Sequence, residues 1–507
     1  MSGIDTFGGK KARLREEVDE ELARHYFPGP EENIRHHLIP SHQFDKAHAV
    51  MLYEEGLMTR DVAVKILSAL KEMESEGVEK TRLKLGGSAH TGELYITKKY
   101  GEDIGGRLHI GRSSGDLDAV YRTFVLRDML LLMMEANLAY RSTLIELAEK
   151  HVDTIMLSFS FHQPAQATTF GHYLVAWDCV AQRNFERLVN LYVRNNVSPA
   201  GAAIGTGSEF PLNRSRVAEL LGYDSVSKNT RDSIFNLDGM LEAHSLVSIM
   251  CNDLGRLADD LQMWTTAEFD WIELADRYCN TSSIMPQKKN PKALEYVRGI
   301  SAVTLGHLVA AFATMKSTSD TIEPHEFVPW ELWKSIDAFL SAIKIMAGVL
   351  RTITVKSENM FADVGKTWVF ASDLAGMIVK KKGLPFRTAH QIIAITVRRA
   401  IDEGKKPMTI TREMIDRAAV EYTGHALGLD QDSINEVLDT HRRIKMRTLI
   451  GGVAPEEVRK QIVESRRMLE RDSAHLKKLR VILEDRSKAL EKAVSEIISG
   501  QGQHPLN

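Results

Sequence analysis

Between Asp116 and Gln163 the chain carries neither proline nor glycine, and good helix formers fill most of the run. Leu117, Phe124, Leu131, Leu138 and Ile145 recur in it every seven residues. The pattern predicts one very long helix over 116–163 with an apolar stripe facing other helices. A stripe of that length exceeds what the core of one chain covers, so self-association is the physical expectation. Further apolar-periodic segments near 169–195, 240–276, 292–315 and 331–360 complete a central bundle of five long helices. Gly255, Gly299 and Gly348 interrupt three of them at a cost of about 1 kcal/mol each relative to alanine, which points to close packing or local bends. Strand signals are sparse, and the fold class read from the pattern is all-α.

A chain of 507 residues has room for two to four domains. Its formal charge of −3 makes no broad electrostatic case for nucleic acid or an anionic membrane. Three cysteines, odd in number, argue against a disulfide framework and fit a reducing cytoplasm. No metal-ligand quartet is visible, and neither a metal nor a cofactor is expected. Met1 to Arg15 mixes glycines with both charge signs and lacks the apolar segment of a secretory signal. The apolar stretch from Met129 to Met134 is too short to span a bilayer. Gly201 to Gly207 is glycine-rich, but no P-loop lysine follows, so it reads as a connector. Lys380, Lys381 and Lys382 followed by Gly383 and Pro385 read as a helix end. The charged stretch from Glu470 to Ile498 reads as a solvated or subunit-packing helix.

The run Thr281-Ser282-Ser283-Ile284-Met285-Pro286-Gln287-Lys288-Lys289-Asn290-Pro291 carries chemistry. It sets two hydroxyls, an ammonium and an amide on one short loop. A proton beside a carboxylate is weakly acidic, so its removal needs a positioned base and fixed positive groups where enolate charge appears. Serine serves as that base only where its alkoxide is strongly stabilised. The string resembles the loop Gly-Ser-Ser-x-Met-Pro-x-Lys-x-Asn-Pro of the fumarase/aspartase superfamily, in its argininosuccinate lyase branch. The resemblance implies anti-elimination of fumarate from a succinyl unit through an aci-carboxylate. Ser282 is then the base, Lys288 and Asn290 hold the carboxylate being charged, and Ser283 and Met285 line the site. Thr281 stands where the family has glycine, which puts loop closure in question.

Three other segments extend the resemblance. His109-Ile110-Gly111-Arg112-Ser113-Ser114-Gly115-Asp116 is similar to the family's His-Thr-Gly-Arg-Ser-Arg-Asn-Asp, at a helix start where backbone N–H groups favour an anion. Arg112, Ser113 and Ser114 are candidate substrate contacts there, with a plain capping turn as the bland alternative. Gly115 in the asparagine place suggests altered contacts. Ser160-Phe161-His162-Gln163 resembles Thr-His-x-Gln, so Ser160 and Gln163 keep contact positions while Phe161 replaces the histidine that pairs with the loop's glutamate, here Glu295. His162 lies one residue on, and in an extended strand that shift would turn it to the opposite face. His90 and Thr91 resemble a His-Thr pair lining the family's site.

The resemblance covers residues 80–465 and implies a three-domain fold, with an N-terminal helical domain at 1–115, the bundle at 116–365, and a C-terminal helical domain with an extra helix at 366–507. It also implies a homotetramer whose active sites are shared between subunits. The expected substrate is a small dicarboxylate or N-succinyl compound, split reversibly into fumarate and an amine. Where argininosuccinate lyases carry Tyr, Gln and Lys contacts to the arginine end, this chain has Ile322, Phe327 and Trp330. Apolar groups cannot replace hydrogen bonds to a charged terminus. An N-succinyl aminopolycarboxylate, of the kind ethylenediamine-disuccinate lyases handle, is therefore preferred over argininosuccinate. A non-catalytic relative, of the lens-crystallin kind, is the further alternative.

Overall fold

A computed structural model describes residues 19–21, 31–322 and 324–501, so the Met1 to Arg15 stretch and Glu323 lie outside the described residues. Helices α1 (Glu31–Glu54), α2 (Arg60–Glu76) and α3 (Thr91–Tyr100) build a first core around Phe44, Val50, Leu67 and Ile96. Helix α4 (Ser114–Lys150) then runs from that core into the bundle.

The single helix expected over 116–163 is corrected here, because α4 stops at Lys150. Beyond it, β1 (Ile155–Ser160) pairs antiparallel with β2 (Gln163–Thr169). The absence of proline and glycine permits a helix without requiring one, and the chain here gains more by folding back. The amides of Phe170 and Gly171 donate to the carbonyls of Thr154 (2.8 Å) and His151 (2.9 Å). A Cβ on Gly171 would lie 2.8 Å from the Ala148 carbonyl oxygen, so only glycine lets the next helix start against the end of α4.

That helix, α5 (Phe170–Asn195), packs on α4, and α6 (Asp238–Trp264) joins them. The short strands β3 (Asn280–Thr281) and β4 (Lys289–Asn290) precede α7 (Lys292–Thr314) and α8 (Pro324–Thr352). The third segment thus ends twelve residues short of 276, and the last begins at Pro324, a residue suited to the first helical turn. Gly255 and Gly348 mark close approaches, with an added Cβ 3.0 Å from Ser301 Cβ and 1.9 Å from Tyr278 Oη. Gly299 meets nothing within 4 Å. Only Leu294, Val297, Thr304 and Ala311 of α7 are buried, while Val303, Leu305, Val309 and Phe312 are exposed. α7 is also long and apolar enough to cross a membrane, the one such helix among the described residues.

A third core, around Leu374, Ile392, Ile415 and Ile434, joins α9 (Ala371–Lys382), α10 (Phe386–Asp402) and α11 (Arg412–Thr423). α9 ends as expected, with Gly383 left-handed at φ 67°. The terminal helix α12 (Pro455–Ser499) packs within the chain. Val458, Ile462 and Leu476 join the bundle core, and Leu490, Val494 and Ile497 the first core. Buried Arg141 of α4 ties it down, donating Nη1 to Asp472 at 2.6 Å and Nε to Asp178 of α5 at 3.0 Å.

Candidate active site

The loop at 282–288 is closed by the two-residue ladder of β3 and β4, in which Asn280 pairs with Asn290 and Thr281 with Lys289. A β-branched residue suits such a stem, which gives Thr281 a reason to stand where glycine was expected. Asn290 supports the same stem, donating Nδ2 to Asn280 Oδ1 at 3.0 Å. The Ser282 hydroxyl oxygen accepts from the amides of Met285 (3.1 Å) and Ile284 (3.3 Å). Two N–H donors aimed at one serine oxygen favour negative charge on it, as a serine base requires. Ser283 and Met285 are exposed beside it. Lys289 is engaged by Glu273 and Asp276, each at 2.8 Å, whereas Lys288 has no ion pair among the described residues. Lys288 is thus the cation the loop offers to a ligand. Glu295 lies exposed in the first turn of α7.

The hairpin turn places Phe161 and His162 at its tip with φ of 55° and 57°. Ser160 and Gln163 form the register pair that closes it, both exposed. Such turns favour Asn-Gly, and a bulky residue at positive φ is strained, a feature that clusters at functional sites. Phe161 is 95% exposed. The alternation expected to turn His162 to the other face does not hold, because neither residue is extended.

At the start of α4, Ser113 is the N-cap. Its hydroxyl accepts from the Gly115 amide at 3.1 Å, and its own amide donates to Asp116 Oδ2 at 3.1 Å. The capping role and a ligand role therefore share one residue. Ser114 Oγ meets His90 Nε2 at 2.9 Å. Burial and then the Arg112 charge push His90 down to about 4, so the ring is neutral near pH 7. Arg112 is buried and donates Nη1 to Asp45 at 2.8 Å. Thr91 is also buried, between the Ser88 carbonyl (2.7 Å) and Arg82 Nη1 (3.3 Å). These contacts make Arg112 and Thr91 part of the wall behind Ser113 and Ser114. An added Cβ on Gly115 would lie 2.9 Å from Ile204 Cδ1 and 3.0 Å from the Ala203 carbonyl. Glycine at 115 thus answers to packing under the 201–207 connector.

His90, Glu93 and His109 bring atoms capable of holding a metal ion within 4.8 Å of one another. His109 Nδ1 and Glu93 Oε2 lie 3.1 Å apart, a hydrogen-bond distance that holds this pair together without an ion.

Among the described residues, Ser282, Ser283, Lys288 and Glu295 make no hydrogen bond or ion pair to the hairpin tip or to the start of α4. Within one chain these three segments of the candidate site are thus not joined by hydrogen bonds or ion pairs. The amide donors to Ser282 escape a reading of residue types, since backbone groups carry no side-chain signature.

Comparison with known proteins places the chain in a family. A lyase family model matches residues 31–306, and a model of the argininosuccinate lyase C-terminal region matches 368–445. The chain belongs to the fumarase/aspartase superfamily of lyases. It falls in the argininosuccinate-lyase-like branch and is a carbon–nitrogen lyase. It is 35% identical over 492 residues to an argininosuccinate lyase of Methanosarcina acetivorans, covering 96% of this chain and 98% of the relative. It is 36% identical over 436 residues to that of Methanocaldococcus jannaschii, covering 84% and 87%. Among solved structures, an EDDS lyase in complex with formate is similar, with a TM-score of 0.86 at 32% identity over 92% of this chain and 93% of that one.

Proposed function

We propose that the chain splits an N-substituted aspartate into fumarate and an amine, reversibly, with Ser282 as the base. The observation that carries this is the pair of amides on Ser282 Oγ. The serine alkoxide takes the Cβ proton, the electron pair moves toward the adjacent carboxylate, and Lys288 faces the charge that develops there. The pair then returns to form the C=C bond as the C–N bond breaks. The departing nitrogen takes a proton, a task assigned to His162 at the hairpin tip. No cofactor enters this scheme.

The exposed apolar side of α7 supports a homotetramer assembled on that helix, with copies of the chain bringing the three parts of the site together. A membrane span suits α7 less well, since it packs along α6 and α8 and carries Arg298, Ser301 and His307.

For the amine half, Ile322, Phe327 and Trp330 offer no partner to the arginine end, so an N-succinyl substrate other than argininosuccinate, of the aminopolycarboxylate kind, is the first reading. Argininosuccinate is the second reading, favoured by the relatives of that name. Fumarate absorbance with argininosuccinate beside N-succinyl aminopolycarboxylates, run in both directions, tests the proposal. Release from at least one substrate is expected, and none from any of them would refute it. A higher kcat/KM for argininosuccinate would select the second reading.

A further inference from the structure

Residues 160–166 are all exposed, so the hairpin tip that carries Phe161 and His162 has no packing of its own. A two-stranded hairpin is marginal by itself in water, and the place of His162 therefore depends on what holds the base. On β1 that support is apolar. Leu157 is buried, and the Phe159 ring lies 5.9 Å from the rings of Phe269 and Trp271.

On β2 the support is polar and comes from the C-terminal part of the chain. Arg447, 280 residues further on, donates Nη1 to the Ala167 carbonyl at 2.9 Å and Nη2 to Asp373 Oδ2 at 2.9 Å. Asp373 lies in the first turn of α9, and its Oδ1 accepts from Arg443 Nη2, also at 2.9 Å. Beside it, Ser372 Oγ accepts from Gln166 Nε2 at 3.1 Å. His172 Nε2 meets the Gly451 carbonyl at 3.0 Å. A carbonyl only accepts, so Nε2 carries the proton and Nδ1 accepts from the Thr168 hydroxyl at 3.2 Å. Three successive residues of β2, 166–168, are thus tied directly or through His172 to segments beyond residue 370.

The Arg447–Asp373 pair is mostly shielded from water, and the planar guanidinium makes its two bonds in a fixed geometry. It therefore sets the direction of β2 at Ala167 as well as tethering it. The ladder pairs Ser158 with Gln166 and then Phe159 with Pro164, which leaves Ala165 unpaired as a bulge between this strut and the tip. A bulge bends its strand and re-aims the side chains beyond it. His162 is four residues from Gln166, so at about 3.4 Å per residue a tilt of about 4° at the base moves it by about 1 Å.

We infer that Arg447 is a positioning residue for the elimination: held by Asp373, it fixes the base of the hairpin and so brings His162 to the departing nitrogen. The inference rests on the lyase reading with His162 as proton donor. In that step the C–N electron pair leaves with the nitrogen, the His162 imidazolium gives the nitrogen a proton, and solvent restores the proton to the ring. The C-terminal domain thereby takes a part in the reaction without touching the substrate.

Arg447→Met keeps an apolar stem and deletes both bonds. On the N-succinyl substrate that wild type turns over, kcat should fall about ten- to a hundredfold, as a misplacement of about 1 Å produces. KM should stay within about twofold, because His162 acts on the departing nitrogen rather than holding the substrate. In a His162→Gln background the same substitution should change kcat by less than about twofold, since nothing is left to position. Ser372→Ala removes only the acceptor for Gln166, should show the same pattern with a smaller loss, and serves if Arg447→Met does not fold. Hydrogen exchange of amides 156–168 needs no turnover. It should quicken about tenfold or more in Arg447→Met, as loss of a charged hydrogen bond produces, while α4 and α10 keep wild-type rates. A kcat loss undiminished in the His162→Gln background, a loss carried by KM, or unchanged exchange at 156–168 would overturn the inference. A His162→Gln variant with wild-type kcat would remove the proton donor and the inference with it. Absence of fumarate from wild type would count against the lyase reading, and the exchange rates would still decide whether Arg447 holds the hairpin.

Discussion

Replacing Lys46 with methionine should loosen the last turns of α12 from the first core. Lys46 has no exposed surface, and its ammonium contacts both Glu74 of α2 and Glu491 of α12. Methionine keeps the apolar stem and deletes the charge, leaving two carboxylates facing each other. Breaking a fully buried ion pair costs about 3–5 kcal/mol. The cost here is smaller, because the glutamates are 25% and 38% exposed and keep other partners. Lys71 still reaches Glu491 at 3.0 Å, and His42 Nε2 still meets Glu74 at 3.1 Å. The discounted figure is about 2 kcal/mol, or about thirtyfold in local opening. Leu490, Val494 and Ile497 fill the first core beside this contact, so the loss should be confined to that segment. Native-state hydrogen exchange of residues 485–499 measures it directly. Burial opposes ionisation of Glu74 and Glu491, but their partners outweigh it and hold both below the usual glutamate value of 4.5. Their contribution is therefore present above that value and is lost as pH falls through the lower folded-state values, so the difference between wild type and variant should shrink in acid. Unchanged protection at 485–499 near pH 7 would refute the clamp.

Lys288→Met should weaken fumarate as a product inhibitor by about tenfold or more, as loss of a charged hydrogen bond does, with little change in melting temperature. An unchanged inhibition constant with turnover intact would place the carboxylate elsewhere. Gly115→Ala should destabilise the start of α4 by about 1–3 kcal/mol through overpacking against Ile204 and Ala203, seen in calorimetry. An unaltered transition would mean that the connector yields freely and that glycine is held there for another reason.

The sevenfold stripe gave away α4, because a buried helix face must repeat its apolar residues, and the Lys380–Gly383 signal gave away the end of α9. The break after Lys150 was not legible from missing prolines and glycines. Its signal was the apolar run from Ile155 to Leu157 and the fit of Gly171 against α4, which only the fold reveals. The β3–β4 stem is two residues long and too short to show a period. Ser282 and Lys288 were legible through the loop's resemblance to a known family. The amides that make Ser282 plausible as a base were not, since any residue type supplies an N–H.

The most direct test of the central claim is the rate of fumarate formation by Ser282→Ala, measured by absorbance on whichever N-succinyl substrate wild type turns over. The hydroxyl sits on a surface loop, so the variant should keep its circular dichroism and its assembly state. Loss of the base should lower kcat by about two to four decades. A folded variant whose kcat stays within about tenfold of wild type would contradict the account and remove Ser282 from proton abstraction.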